Sequence, residues 1–231
     1  MEANVPRSLT ICYETFSVPL ALAAKLQRED KSDAEIHALL AAGQEKDGIR
    51  QESVDVLCSR SGQKAHLESI SERIYPTEFQ PPSIPATVGV AVSASPATKT
   101  PPSAPDSAKP GDARLPGNFD ILRAPALPTA TDTRNIGRTF YSESTLVTDS
   151  IVTLHLTPEH VTFVGRTPWG QGIATTEMPT FETQRLKTDV HARAGQPLLL
   201  GTISRPPVST MDAESAQRVW FAFATVTVVK P

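Results

Sequence analysis

The chain predicts an α+β fold, mainly antiparallel β-hairpins and meander, with two N-terminal helices packed on the sheet and a long disordered insertion. Three observations predict it. Several stretches of the 231-residue chain, the longest around Leu186–Ile203, alternate apolar and polar side chains with a period of two, the mark of strands with one packed face. Two short stretches near the N-terminus carry a helical period instead. Residues 80–133 hold about half of the 21 prolines, set among Ala, Ser and Thr, a composition that buries too little apolar surface to offset its ordering entropy.

In chain order, Leu9 to Val18 forms a first strand, with Ile11 and Tyr13 alternating against Thr10 and Cys12. Pro19 suits a first helical turn, and Leu20, Leu22, Ala23 and Leu26 make an apolar stripe behind it. Ser32 with Glu35 has the spacing of a capping box and opens a second helix, buried through Ile36, Leu39 and Leu40 and ended by Gly43 and Gly48. Neither helix is long enough to stand alone, so both pack on a sheet. From Glu52 the period is two again. Val54, Val56 and Cys58 run up to a turn at Arg60, Ser61, Gly62 and Gln63, and Ala65 and Leu67 return from it as a hairpin.

The two regular halves, residues 1–79 and 134–231, form one domain divided by the insertion at 80–133. In the second half, Ile136–Leu146 is a strand, 148–150 a tight turn, and Ile151–Thr157 a strand with Val152, Leu154 and Leu156 on one face. Val161–Val164 continues the meander and Pro168–Gly172 is a loop. Leu186, Thr188, Val190 and Ala192 then alternate with Lys187, Asp189, His191 and Arg193, which form a solvated strand face. Ala194, Gly195 and Gln196 turn the chain, and Leu198–Ile203 returns as the second arm of a long hairpin. The closing run, Val219–Val229, is apolar on both faces: Phe221 and Phe223 on one, Trp220, Val226 and Val228 on the other. Such a strand is sandwiched.

Composition narrows the function. A net charge of −3 and a pI near 6.0 give no basic face for nucleic acid. No apolar run reaches the roughly 18–20 residues of a membrane-spanning helix, so membrane association is expected only as an assembled β-structure. No signal peptide is visible before the first strand. Cys12 and Cys58 set no disulfide framework and are expected as small buried thiols. His37, His66, His155, His160 and His191 show no metal spacing. Cys58 near His66 lacks an orienting third group, and no nucleophile elbow or phosphate loop is present, so no enzyme activity and no cofactor are expected.

The late stretch also resembles a known family. Thr188, Val190, Gly195, Gln196, Leu198, Leu199, Leu200 and Gly201 fall on the "T-x-V-x-v-x-d-G-Q-t-v-v-l-G" pattern of bacterial secretins, the ring-forming channel subunits of type II and type III secretion. The rest follows the family's order. Leu39–Gly43 resembles the helix before the first hairpin, Ala65–Leu67 with Tyr75–Pro76 its exit, and Val152–Glu159 the "V-x-L-x-i-x-P-E" strand; Trp220–Val229 resembles the closing strand.

The resemblance implies a homo-oligomer joined through strand edges, other envelope or secretion-system proteins as partners, and a cell-envelope location, with a cytoplasmic one left open by the missing leader. It also makes Lys187, Asp189, His191 and Arg193 candidates to line a lumen, and places Ser61, Gly62, Gln63, Gly195 and Gln196 at hairpin turns. Two departures stand beside it: no N-terminal ring-building modules, and Pro206–Ser215 where the family carries a proline-rich "i-P-x-L-x-d-I-P" segment. The alternative function is a β-rich structural or adaptor protein that keeps the fold without the channel.

Overall fold

The computed structural model describes residues 7–43, 47–80, 126–171, 175–205 and 214–229. The chain divides into two compact units. The first comprises Met1–Tyr75, Thr133–Thr167 and Met178–Pro231. The second comprises Pro76–Asp132 and Pro168–Glu177, and its described residues are strand ends and short connections.

Among the described residues, two sheets are built from nine strands, and the pairings with a register are all antiparallel. One sheet has the order β2–β1–β9–β8, where β1 is Ser8–Pro19, β2 Arg50–Arg60, β8 Pro197–Ser204 and β9 Arg218–Val229. The other runs β3–β4–β5–β6, with β3 at Gln63–Gln80, β4 at Leu127–Thr148, β5 at Ile151–Trp169 and β6 at Thr176–Arg185; β7, Thr188–Arg193, pairs with β5 beside β6. The α+β class predicted from sequence is the observed one. Each sheet takes strands from both sides of residues 80–133.

Within the first unit, the sheets meet through a core of Leu9, Ile11, Tyr13, Phe140, Val152, Leu154, Leu156, Ala192, Ala222, Ala224 and Val226. A second core lies on the opposite face of the first sheet. There Phe16, Val18, Phe221 and Phe223 receive Ala23 and Leu26 of α1 (Leu20–Arg28) and Ile36 and Leu40 of α2 (Asp33–Ala42). Strand β9 is therefore covered on both sides, as its two apolar faces predicted, and Phe221 to Ala224 are fully buried.

The helices form where local chemistry placed them. Pro19, at φ −56°, closes β1 and stands just ahead of α1 as its N-cap. At α2, Ser32 Oγ accepts from the Glu35 amide while Glu35 Oε2 accepts from the Ser32 amide, so the capping box is complete. Leu20, placed in the apolar stripe, is instead 51% exposed.

Two strands differ in extent from expectation. Strand β4 begins at Leu127, inside the segment expected to be a disordered insertion; the rest of that insertion, 81–125, lies outside the described residues. Strand β5 runs unbroken to Trp169 and absorbs both the separate Val161–Val164 strand and part of the expected loop. The connection 206–213 also lies outside the described residues.

The main correction concerns pairing. Residues 186–193 and 197–204 are extended as expected but do not pair with each other: β7 bonds to β5 and β8 to β9. Likewise β2 pairs with β1, whereas β3 pairs with β4. Both expected hairpins are chain crossings from one sheet to the other. The physical reason is burial. Folded as hairpins, these arms would leave the inner faces of β1, β9 and β5 without edge partners, whereas crossing over widens both sheets around one core.

Candidate functional site

The outer face of the second sheet is polar across its width. Strand register aligns Glu143 of β4, His155 of β5 and Asp189 of β7 in one row, and His155 Nδ1 lies 2.6 Å from Asp189 Oδ1. The next row holds Thr145, Thr153 and His191, whose ring lies 3.0 Å from the Thr153 hydroxyl. Glu159 accepts from Arg185 at 2.6 Å, an ion pair in mid-strand. Lys187, Asp189, His191 and Arg193 are all exposed.

The outer edge of this sheet is open among the described residues. Leu186 donates its N–H to the Pro158 carbonyl at 3.1 Å. Proline has no N–H to return, which interrupts the ladder between β6 and β7. The same bond fixes the phase of β7. Alternate residues of an antiparallel strand face their partner, so Thr188, Val190 and Ala192 bond to β5. The N–H groups of Lys187, Asp189, His191 and Arg193 therefore point away, along the edge.

The turns at 60–63 and 193–196 are the two crossings. Ser61 donates its N–H to Arg7 O, ahead of β1, and the next amide, Gly62, donates to Ser144 O on β4 at 2.7 Å. At the other crossing Ala194 donates to Ser150 O in the β4–β5 turn, and Gly195 to Val226 O on β9 at 2.8 Å. Consecutive amides at each corner thus tie to opposite sheets. Ser61 Oγ adds a bond from the Leu146 amide, and Gln63 and Gln196 are exposed beside the glycines.

Away from the corners, the space between the sheets becomes ionic. A cleft of about 90 Å³ is lined by Tyr13, Asp55, Arg138, His160, Gln184, Arg205 and Trp220 among others. Arg138 reaches Asp55 at 3.5 Å, and Arg205 pairs with Glu182 at 3.1 Å while lying over the Trp220 ring. Burial, with a smaller push from Asp55, holds the Tyr13 phenol well above its usual range. His160, at the cleft mouth, is shifted below its ordinary value first by desolvation and then by Arg138 and Arg205. Periodicity missed this site because its charges come from β2, β4, β5, β6 and the residue after β8, and meet only through tertiary packing.

The remaining expected residues are not brought together. Cys58 contacts Thr10 Oγ1 and is exposed, contrary to the buried thiol expected, because β2 is an edge strand; Cys12 is half-buried, and both are free. His66 lies on the other sheet beside Glu68 and Tyr141. Among the described residues no group of three His, Cys, Asp or Glu could hold a metal, and no helix is long and apolar enough to cross a membrane.

No family model and no curated protein matches this chain. The chain is similar to solved secretin structures. Against Aeromonas hydrophila ExeD the identity is 10% and the TM-score 0.44, covering 98% of this chain and 49% of that one. Against the type II secretion system secretin GspD of E. coli K12 the values are 9% and 0.44, covering 98% and 51%. The InvG secretin domain β-barrel of the Salmonella SPI-1 injectisome gives 12% and 0.40, covering 98% and 63%. The chain thus spans about half the length of the first two.

Proposed function

We propose that this chain is a secretin-like, self-assembling protein of the cell envelope with a structural, non-catalytic role in protein secretion. The observation that carries the reading is the open β7 edge, with four consecutive alternate N–H groups unpaired by its own sheet, beside a wide polar outer face. An edge of this kind is a template for another chain. Pairing the β6–β7 edge of one copy with the β3 edge of the next repeats head to tail, and a closed ring leaves no edge free. The polar rows around His155 then line the inside, with Lys187, Asp189, His191 and Arg193 facing the lumen. The ordered motif resemblance supports the same reading. Membrane contact belongs to the assembled β-structure, and other envelope or secretion-system proteins are its natural partners.

Size-exclusion chromatography with negative-stain imaging of the full chain in detergent tests this. Closed rings of many subunits are expected. A single compact species near 24.8 kDa at all concentrations overturns self-assembly and leaves a β-rich adaptor.

A further inference from the structure

Among the described residues, three buried side-chain polar atoms lack a hydrogen-bond partner: Ser142 Oγ, Gln184 Nε2 and Arg205 Nε. The last two are donors, and their residues line the same inter-sheet cleft. Leaving such donors unmet is costly, so a site that keeps two of them is matched to something that accepts.

The cleft's own carboxylates are already engaged. Glu182 accepts from Arg205 Nη1, Asp55 faces Arg138, Glu159 accepts from Arg185, and Glu52 accepts from the Ser17 hydroxyl. What remains on offer is donor capacity, from Arg205 Nε–H and the Gln184 side-chain amide. The Arg205 side chain, 12% exposed, is fixed between Glu182 and the Trp220 ring, so its Nε–H has one direction to point. The protonated Tyr13 phenol forms another polar wall. A space of about 90 Å³ admits only a few heavy atoms, and two N–H donors from separate side chains suit the two oxygens of a planar anion.

We infer that the cleft between the sheets binds a small carboxylate of formate or acetate size, held by Arg205 Nε–H and the Gln184 side-chain amide. The inference stands apart from self-assembly, since every lining residue belongs to one copy.

The test uses Trp220 as reporter, in full-length protein carrying Trp169→Phe, because Trp169 and Trp220 are the only tryptophans. Sodium acetate and sodium formate are titrated at constant ionic strength made up with sodium chloride. A saturable change in Trp220 emission is expected. Arg205→Lys keeps the charge beside Glu182 but removes the Nε–H, and Gln184→Leu removes the second donor. Each is expected to weaken binding by about tenfold, the loss of one charge-assisted hydrogen bond. Circular dichroism establishes that each variant is folded; should one not be, the other carries the comparison. A response that fails to saturate, that chloride reproduces, or that both folded variants retain in full shows that the cleft holds water only and overturns the inference.

Discussion

Gly62 and Gly195 hold equivalent places at the two corners where the chain passes between sheets. Their φ angles are +80° and +78°, and each donates its N–H to a carbonyl of the sheet the other strand end does not belong to. A Cβ added at either position meets nothing within 4 Å. The cost of Gly62→Ala or Gly195→Ala is therefore backbone strain alone, about 1–2 kcal/mol each, read as a shift in the urea midpoint. Gly137→Ala is expected to be worse. Its φ of +124° is also unfavourable, and there a Cβ would run into the Ser69 carbonyl oxygen and the Ile70 Cα. That places the damage in the β3–β4 pairing, so a smaller loss than at Gly62 would contradict the account.

These corners also show what the sequence could and could not reveal. A glycine at positive φ between two alternating runs has the same local chemistry in a hairpin turn and in a corner between sheets. Arg60–Gln63 and Arg193–Gln196 were legible as turns, but the partner of each flanking strand depends on residues far away in the chain. The capping box at Ser32 and Glu35 was legible because it closes over three residues. So was the double burial of β9, since Phe221 and Val226 announce two apolar faces by composition. The Arg205–Glu182 and Arg138–Asp55 pairs had no such signal: an arginine on a strand has the same periodicity facing water or facing a buried carboxylate.

Arg218 fastens the end of β9 where the helical layer begins. Its guanidinium donates to Ser17 O at 2.8 Å, to Ser17 Oγ at 2.9 Å and to Gly48 O at 2.6 Å, and its side chain is 6% exposed. Arg218→Ala leaves these buried acceptors unmet, and a loss of about 3 kcal/mol is expected. In a chain of this size that lowers Tm by roughly 6–12 °C. Arg218→Lys should fall between, because one ammonium cannot span both carbonyls in the fork geometry. Equal stability of the alanine variant and the parent protein would show that the fork contributes nothing net.

The edge of β7 separates folding from assembly. The His191 N–H points along the open edge, so His191→Pro removes a donor that the sheet itself does not use. Its side-chain contact with Thr153 is lost, but the His155–Asp189 pair is untouched. The expected result is an unchanged far-ultraviolet spectrum with loss of the ring fraction in size-exclusion chromatography. Val190→Pro removes a bond to β5 instead and should destabilise the fold itself. Rings persisting in folded His191→Pro would place the assembly edge elsewhere.

Stability should fall in mildly acidic buffer because of His160. Its pKa in the folded chain lies below the ordinary 6.5, through desolvation first and then Arg138 and Arg205, with Glu52 and Asp55 opposing in part. Between the folded value and 6.5 the unfolded chain binds a proton that the folded chain refuses, so unfolding gains as pH drops. The penalty is absent well above 6.5, grows as pH falls through 6.5, and levels off below the folded value. Glu29 and Glu35, whose pKa values are lowered by hydrogen bonds to Lys31 and Ser32, act in a different window, losing their contribution as pH falls below 4.5. Urea unfolding at pH 7.5 and at pH 5.5 therefore isolates the histidine. The parent is expected to be less stable at the lower pH, and His160→Gln to flatten that difference while leaving the carboxylate limb in place. An undiminished slope in His160→Gln would assign the effect to another group.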